Sequence, residues 1–256
     1  MPEAEKKQSL EEVQESAQEV VQAETTLHPT RHYRAYLFQF ILIITTGAFA
    51  MLTLLVKTTP SFPVDLAITQ AIQSIHFPFF DGLMIVVSWL GFLPQSVLIP
   101  MLVALIIYVL GLHWEAVMAS VAAFLPAAVN ILVKQYIRRP RPSVDLVHVF
   151  RILDSYSFPS GHVMFYVVFF GFLWFLVFTL LKQSWRRTSL LIGLSMPILF
   201  VGISRIYLGQ HWASDVLGAY LLGFLVLVGI TVFYRWGKQR FFVHQPVAPQ
   251  GAKQEK

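Results

Sequence analysis

Long apolar stretches separated by short polar ones make up most of this chain from residue 36 onward. A helix needs roughly 20 predominantly apolar residues to cross the hydrocarbon core of a bilayer. Six stretches approach or exceed that length, at residues 36–56, 95–112, 116–133, 163–181, 189–208 and 213–234. The pattern predicts an all-α fold, an integral membrane bundle of about six transmembrane helices.

Two further segments are apolar without having the pattern of a membrane span. Between residues 67 and 75, after Pro60 and Pro63 have interrupted the first span, apolar side chains recur at helical spacing with Gln70 and Gln73 between them. This is typical of a short helix that lies in the membrane interface after the first span. Residues 79–94 are apolar but short, and we expect a surface or re-entrant segment there; their length leaves open whether they span the membrane.

The two ends of the chain differ in composition from the apolar middle. Residues 1–30 carry seven glutamates among Gln, Ala and Val, which predicts a disordered acidic tail. Residues 31–240 are the predicted membrane domain, and residues 241–256 a cytoplasmic tail.

Composition agrees with a membrane protein. Of the 256 residues, 56% are hydrophobic and 13% charged, whereas soluble domains carry about a quarter charged residues. The net charge of +5 does not indicate nucleic acid, because the basic residues lie beside apolar spans, where they orient helices and meet anionic lipid. The chain has no cysteine, which excludes disulfides, a thiolate nucleophile and cysteine metal sites.

Basic residues outside the spans orient the bundle, because cytoplasmic loops are enriched in Lys and Arg. In a six-span arrangement three basic groups fall on one side, which we assign to the cytoplasm: Arg31 and Arg34; Lys182, Arg186 and Arg187; Arg235, Lys238 and Arg240. A fourth group, between residues 134 and 141, falls on the opposite side, where anion binding would explain it.

Three polar stretches interrupt the apolar pattern, and all are expected at that same outer face. They occupy residues 134–142, 159–162 and 204–215. Taken singly, each has an ordinary structural interpretation, as interfacial anchoring, a helix start or a buried ion pair. Because consecutive helices alternate in direction, the three can meet at one place, and this convergence favours a functional site.

Three cations in these stretches, Lys134, Arg141 and Arg205, lie at a depth where an isolated charge is costly. Arginine forks match phosphate oxygens in pairs, and lysine adds a compact positive charge. Ser160 and Gly161 begin a helix, whose free N–H groups and dipole favour an anion. These five residues predict a phosphate-binding pocket.

Two histidines and a carboxylate supply reactive groups beside this pocket. His211 and Asp215 are four residues apart on one helix face, so the carboxylate can fix the tautomer of a nucleophilic imidazole. His162 follows Ser160 and Gly161, in a position to protonate a leaving alkoxide. Such a set performs phosphoryl transfer without a metal, and we expect neither a metal nor a cofactor.

At these residues the sequence resembles the type 2 phosphatidic acid phosphatase superfamily, which includes lipid phosphatases and vanadium haloperoxidases. The resemblance rests on Lys134 to Pro142, Pro159 to His162 and Ser204 to Asp215, which match the three superfamily motifs in order and spacing. It implies about six membrane helices over residues 36–235 and a reaction through a phosphohistidine.

The resemblance also implies a role for each motif residue. His211 would be the nucleophile, Asp215 its orienting carboxylate and His162 the acid for the leaving group. The phosphate would be bound by Lys134, Arg141, Ser160, Gly161 and Arg205. Arg138 and Arg139 fall at variable positions of the first motif and receive no catalytic role.

The expected function is that of a lipid phosphatase in a bacterial plasma membrane, with the site on the extracytoplasmic side. Candidate substrates are phosphatidic acid, phosphatidylglycerol phosphate and a polyprenyl diphosphate, and no nucleic-acid partner is expected. A lipid phosphotransferase and a non-catalytic lipid-phosphate binding or transport protein stay open as alternatives. Six spans argue against a vanadate-dependent haloperoxidase, and the sequence leaves the oligomeric state undetermined.

Overall fold

The computed structural model describes residues 29–59, 61–75 and 77–242. Most of the predicted acidic tail, residues 1–28, and the predicted C-terminal tail from residue 243 lie outside the described residues.

Eight α-helices form the regular structure of these residues, and the described part contains no β-strand, which confirms the all-α prediction. In chain order they are α1 (Pro29–Thr58), α2 (Pro63–Gln73), α3 (Pro78–Trp89), α4 (Gln95–Val109), α5 (His113–Ile137), α6 (Gly161–Leu180), α7 (Trp185–Tyr207) and α8 (Ala213–Phe242).

The chain divides into two compact units, residues 1–45 and 46–256. The first unit is described only by the beginning of α1, whose apolar side chains between Tyr33 and Ile44 are mostly exposed. The second unit contains the rest of α1 and the other seven described helices. The packing and the site described below lie within this second unit.

Five described helices are long and apolar enough to cross a membrane: Tyr33–Thr58, His113–Ile137, Gly161–Leu180, Trp185–Tyr207 and Ala213–Phe241. Helices α3 and α4 are shorter, with 12 and 15 residues. By length, therefore, five of the described helices qualify as membrane spans, whereas the sequence predicted about six. The difference is the predicted span at residues 95–112, whose helix ends at Val109.

A glycine explains the early end of α4. Gly111 has a φ of +82°, in the left-handed region that glycine enters without a steric penalty. Its N–H donates to the carbonyl of Tyr108 (2.9 Å), and the N–H of Leu112 donates to that of Ile107 (3.2 Å), which closes the helix. Apolar residues continue past this point, so hydropathy places the end of the span too late.

The helices expose large apolar side chains to their surroundings. Leu132 is 72% exposed, Leu199 62% and Leu102 57%. Soluble monomers rarely expose contiguous apolar surface of this kind, whereas a bilayer solvates it. Together with the five candidate spans, this identifies an integral membrane protein.

Small side chains bring α5 close to its neighbours. Ala119 and Ala122 are fully buried in one cluster with Phe172 of α6 and Ile230 of α8. Helices in a bilayer associate through such close packing, because lipid tails are as apolar as the side chains themselves.

A buried carboxylate joins the first turn of α5 to the last part of α8. Glu115, which is 1% exposed, accepts hydrogen bonds from the Tyr234 hydroxyl (2.8 Å) and from Lys238 Nζ (2.5 Å). These contacts fix the end of the bundle opposite the three polar stretches.

Helix α2 occupies the position of the predicted interfacial helix and contacts two of the chain segments near those stretches. Gln73 Nε2 donates to the carbonyls of His148 (2.7 Å) and Tyr207 (2.8 Å). The N–H of His148 donates to Gln73 Oε1 (3.1 Å). The helix therefore ties the loop after α5 to the end of α7.

The end of α7 repeats the closure found at α4 and leads the chain into the third polar stretch. Gly209 has a φ of +64° and donates its N–H to the carbonyl of Ile206 (2.9 Å). The N–H of Gln210 donates to the carbonyl of Arg205 (3.1 Å), completing the closure. A Cβ atom on Gly209 would overlap the carbonyl oxygen of His148, so both conformation and space require glycine here.

We expect Gly209→Ala to lower the thermal unfolding midpoint of the purified protein in detergent. The left-handed backbone alone costs a non-glycine residue about 1–2 kcal/mol, and the overlap with the His148 backbone adds to this. Gly193→Ala, within α7 and with open space around its Cβ, is the control and should leave the midpoint unchanged or raised. Equal midpoints for the two variants would contradict this account.

Candidate active site

The three polar stretches meet at one end of the bundle. Arg141 Nη1 of the first donates to the carbonyl of Gln210 in the third (2.5 Å). The N–H of Ser160, in the second, donates to the carbonyl of Asp215 (3.2 Å). The Lys134 ammonium donates to the carbonyl of Tyr156, just before the second stretch.

The backbone at the end of α5 separates two adjacent arginines. Arg138 has a φ of +56° and donates its N–H to the carbonyl of Lys134 (2.9 Å), which ends the helix. After this turn Arg138 is exposed, whereas Arg139 is buried, with 2% exposure. One residue of the first stretch is thereby directed into the protein.

Arg139 joins two buried carboxylates. Its Nη1 lies 2.6 Å from Asp215 Oδ1, and its Nη2 lies 2.8 Å from Asp65 Oδ2. Asp65 belongs to α2, and it is 3% exposed. A buried arginine is stable only when it is paired and hydrogen-bonded, so these contacts fix all three side chains.

Asp65 also holds the first turn of α8. Its Oδ1 accepts the N–H of Ser214 (2.8 Å), and its Oδ2 accepts the Ser214 hydroxyl (2.5 Å). A carboxylate at a helix N-terminus satisfies free N–H groups and interacts favourably with the helix dipole. Helix α2 thus determines where α8, and with it Asp215, begins.

His211 lies between Asp215 and Arg141. Its Nδ1 is 3.5 Å from Asp215 Oδ2, and its Nε2 is 3.2 Å from Arg141 Nη1. A guanidinium is a donor only, so Nε2 is assigned as the unprotonated nitrogen and Nδ1 as the one that carries the proton. The same oxygen, Asp215 Oδ2, accepts from the Ser157 hydroxyl and from the N–H of Trp212 (2.9 Å).

Burial, more than any other cause, lowers the pKa of His211 well below its ordinary value, and the positive charges of Arg141, Lys134 and Arg205 lower it further. Burial also lowers the pKa of Arg141, an effect that the charge of Asp215 opposes. The imidazole of His211 is therefore neutral at physiological pH, with a free lone pair on Nε2.

The three predicted phosphate-binding cations contact neutral oxygens. Arg141 donates to the backbone of Ser155 (2.7 Å) and of Gln210, and the Lys134 ammonium to the backbone of Tyr156. Arg205 donates to Ser88 Oγ (3.0 Å) and to the side-chain oxygen of Gln210. Among the described residues none of the three forms an ion pair with a carboxylate, in contrast to Arg139.

Several buried polar atoms of the predicted site residues have no hydrogen-bond partner among the described residues. They include Ser160 Oγ, His162 Nε2, Arg205 Nε and His211 Nδ1, the last of which lies 3.5 Å from Asp215 Oδ2. Buried polar groups are nearly always paired in folded proteins, so the first three require an explanation. A phosphate group, which offers several strong acceptor oxygens, matches the donors among them.

Two cavities adjoin the site. One of about 520 Å³ is lined by Ile131, Lys134, Gln135, Asp154, Ser155 and Tyr156. The other, of about 240 Å³, has Arg141, Arg151 and Gln210 in its wall. Within the part of the chain that the structure describes, no group of three or more His, Cys, Asp or Glu side chains is arranged to hold a metal ion.

Comparisons with known proteins identify the family of this chain. The profile of the PAP2 superfamily matches residues 114–240. Phosphatidylglycerophosphatase B of Bacillus subtilis (strain 168) is 31% identical over 189 residues, which cover 72% of this chain and 90% of the relative. The chain belongs to the PAP2 superfamily. It is a PAP2 lipid phosphatase, a phosphoric monoester hydrolase, and the resemblance found in the three motifs is confirmed.

Two further proteins place this PAP2 phosphatase among its relatives. Undecaprenyl-diphosphatase of Sulfolobus acidocaldarius is 32% identical over 115 residues, covering 45% of this chain and 44% of the relative. The crystal structure of a transmembrane PAP2-type phosphatidylglycerolphosphate phosphatase from Bacillus subtilis matches with a TM-score of 0.68 and 27% identity, over 78% of this chain and 98% of that one.

Sequence reasoning gave no role to Arg139 and Asp65 in this PAP2 phosphatase. Arg139 was set aside as a variable motif position, yet it is the arginine that contacts Asp215. For Asp65 the sequence holds one indication, since Asp65 and Thr69 are polar residues four positions apart and so share one face of a helix. In the structure both are buried on the inner face of α2. A carboxylate on the buried face of a helix requires a partner, and here that partner lies 74 residues away.

We expect Arg139→Ala to destabilise the protein by about 3–5 kcal/mol, because removal of one member of a buried ionic network leaves the others unpaired. Arg138→Ala is the matched control, since Arg138 is the exposed neighbour whose side chain bonds to the carbonyl of Gln135. Chemical unfolding in detergent micelles measures both. A destabilisation of Arg139→Ala no larger than that of Arg138→Ala would show that the network contributes nothing to folding.

Proposed function

We propose that this phosphatase hydrolyses a phosphomonoester or diphosphate of a membrane lipid without a metal, through a phosphohistidine intermediate. One observation carries the proposal: Lys134, Arg141 and Arg205 lie around the neutral His211 without a carboxylate partner among the described residues. Many other phosphoryl-transfer enzymes use metal ions to supply the positive charge that stabilises the transition state. Here the side chains supply that charge.

Phosphate binding falls to the five residues predicted from the motifs. Lys134, Arg141 and Arg205 neutralise the phosphate, while Ser160 and Gly161 offer the start of α6. The N-terminus of that helix favours an anion through its dipole and its free N–H groups. Support comes from the unpaired Ser160 Oγ and Arg205 Nε, which become hydrogen-bonded when a phosphate oxygen lies between them.

The reaction proceeds in two displacements. His211 Nε2 attacks phosphorus, and the bond from phosphorus to the leaving oxygen breaks as His162 transfers a proton to that oxygen. Water then attacks the phosphohistidine while His162 takes up its proton, releasing inorganic phosphate and free His211. Asp215 holds the Nδ1 proton of His211 and stabilises the positive charge that develops on the imidazole.

The relatives support the proposed substrate class. Phosphatidylglycerophosphatase B matches over most of its length, and an undecaprenyl-diphosphatase matches over a shorter segment. We therefore expect phosphatidylglycerol phosphate to be hydrolysed, with phosphatidic acid and a polyprenyl diphosphate as the other members of a broad range.

We further propose six membrane crossings within a domain that spans residues 31–240, with α4 as the crossing that length alone does not identify. Helix α4 begins just after the turn that touches His162, and α5 begins at the opposite end, beside Tyr234 and Lys238. With 15 residues, α4 extends about 22 Å between these ends.

The positive-inside rule supports a site on the extracytoplasmic side of a bacterial plasma membrane. Lys182 lies between α6 and α7, Arg186 and Arg187 lie in the first turn of α7, and Arg235, Lys238 and Arg240 lie near the end of α8. Both groups are at the end of the bundle away from His211.

Phosphate release by the purified protein tests the proposal. The assay is run in detergent with a chelator, on phosphatidylglycerol phosphate, phosphatidic acid and a polyprenyl diphosphate, each beside His211→Ala. We expect release by the parent and a loss of about 10³-fold or more in the variant, because the substitution removes the imidazole that forms the covalent intermediate. Activity that disappears in chelator and returns only with magnesium would contradict the metal-independent reaction.

The acid limb of kcat/KM should shift when a cation near His211 is removed. The nucleophile must be neutral, and the positive charge of Lys134 lowers its pKa, so Lys134→Gln should raise that pKa and move the acid limb to higher pH. Phosphomonoesters themselves titrate near pH 6. The parent and Lys134→Gln are therefore compared on the same substrate, so that the titration of the substrate affects both pH profiles equally. An acid limb at the same pH in both enzymes would count against His211 as the titrating group.

A further inference from the structure

The turn between α3 and α4, residues 90–94, lies against the site although none of its residues belongs to a motif. It also lies outside the superfamily match, which begins at residue 114. Two of its residues, Gly91 and Phe92, contact the imidazole of His162.

Gly91 approaches His162 so closely that no side chain fits between them. A Cβ atom on Gly91 would lie 2.8 Å from Cγ and 2.9 Å from Nε2 of the imidazole, and it would overlap Cδ2. Real Cβ atoms essentially never come within 3.0 Å of another heavy atom. Glycine at this position is therefore a condition for the observed place of the His162 ring.

Phe92 contacts the same imidazole and one of the cations. Its ring meets that of His162 edge to face, with centroids 4.6 Å apart and an interplanar angle of 75°. The guanidinium carbon of Arg205 lies 5.3 Å from the centre of the Phe92 ring, within the range of a cation–π contact. One aromatic side chain thus bounds both His162 and Arg205.

The end of α3 holds this turn in place. Ser88 Oγ is hydrogen-bonded to Ser204 Oγ (2.8 Å) and accepts from Arg205 Nη1 (3.0 Å). One residue earlier in α3, the carbonyl of Val87 accepts from the Tyr166 hydroxyl (2.5 Å). Because these contacts anchor the backbone to α6 and α7, a side chain added at Gly91 will displace the imidazole rather than the turn.

We propose that Gly91 and Phe92 are positioning residues for His162. They hold its imidazole at the place from which it transfers a proton to the leaving oxygen. This inference rests on the proposed function, since it assigns the general acid to His162. It gives the short helix pair α3–α4 a part in the reaction that the motifs do not reveal.

The leaving group separates this role from a merely structural one. A lipid phosphate has a poor leaving group that needs a proton, whereas an aryl phosphate departs with little help. We expect Gly91→Ala to lower kcat about 10²-fold on a lipid phosphate, since displacement of a reacting group by about 1 Å has that effect. On an aryl phosphate the loss should be less than about tenfold. Gly82→Ala, in α3 with open space around its Cβ, is the matched control and should change neither rate.

A double-mutant cycle tests whether Gly91 acts through His162. If it does, Gly91→Ala added to His162→Ala should leave the rate on the lipid phosphate within about twofold of His162→Ala alone. Equal losses on both substrates, or an additive loss in the double variant, would overturn the inference. If Gly91→Ala does not fold, Phe92→Leu replaces it in the double-mutant cycle with His162→Ala. The two criteria are again the difference in loss between the two substrates and the absence of an additive loss in the double variant. A parent enzyme that releases no phosphate from either substrate would instead contradict the proposed function.

Discussion

The site depends on one buried negative charge, the carboxylate of Asp215. It is fully buried, and it accepts hydrogen bonds from Arg139, from the Ser157 hydroxyl and from the N–H of Trp212, with His211 beside it. These partners come from the loop between α5 and α6 and from the segment before α8. A buried carboxylate is stable only when it is paired and hydrogen-bonded, so the fold has to bring these segments together.

The arginines of the site divide into two electrostatic classes. The positive charge of Arg139 is neutralised by Asp65 and Asp215. Arg139 therefore holds these side chains in place but adds little to the positive potential of the site. Arg141 and Arg205 donate mainly to carbonyl, hydroxyl and amide oxygens, which orient their guanidinium groups without cancelling their charge. The site is thus rigid and still positive, which is the electrostatic complement of a phosphate ester.

The fold class and the meeting of the three polar stretches at one end of the bundle were predictable from the sequence, because hydropathy and motif spacing are local signals. A helix at the position of α2 was likewise predicted, from the spacing of apolar residues around Gln70 and Gln73. The role of Asp65 was not, because its carboxylate meets Ser214, a residue 149 positions away, and no local pattern records such a distance. The contact of Gly91 with His162 escaped for the same reason. The end of α4 was misplaced because Gly111 stops the helix while apolar residues continue beyond it.

The position of Asp215 on α8, the last of the described helices, has a consequence for biogenesis. A chain emerges from the ribosome starting at its N-terminus, so Asp65 and Arg139 enter the membrane before α8 exists. These two residues can neutralise each other during that interval, since their ion pair does not need Asp215. His211 and Asp215 arrive together, immediately before and within the first turn of α8. A chain in which α8 has not yet been inserted can therefore keep Arg139 paired, but it lacks His211, the proposed nucleophile, so we expect lipid hydrolysis only after α8 has been inserted.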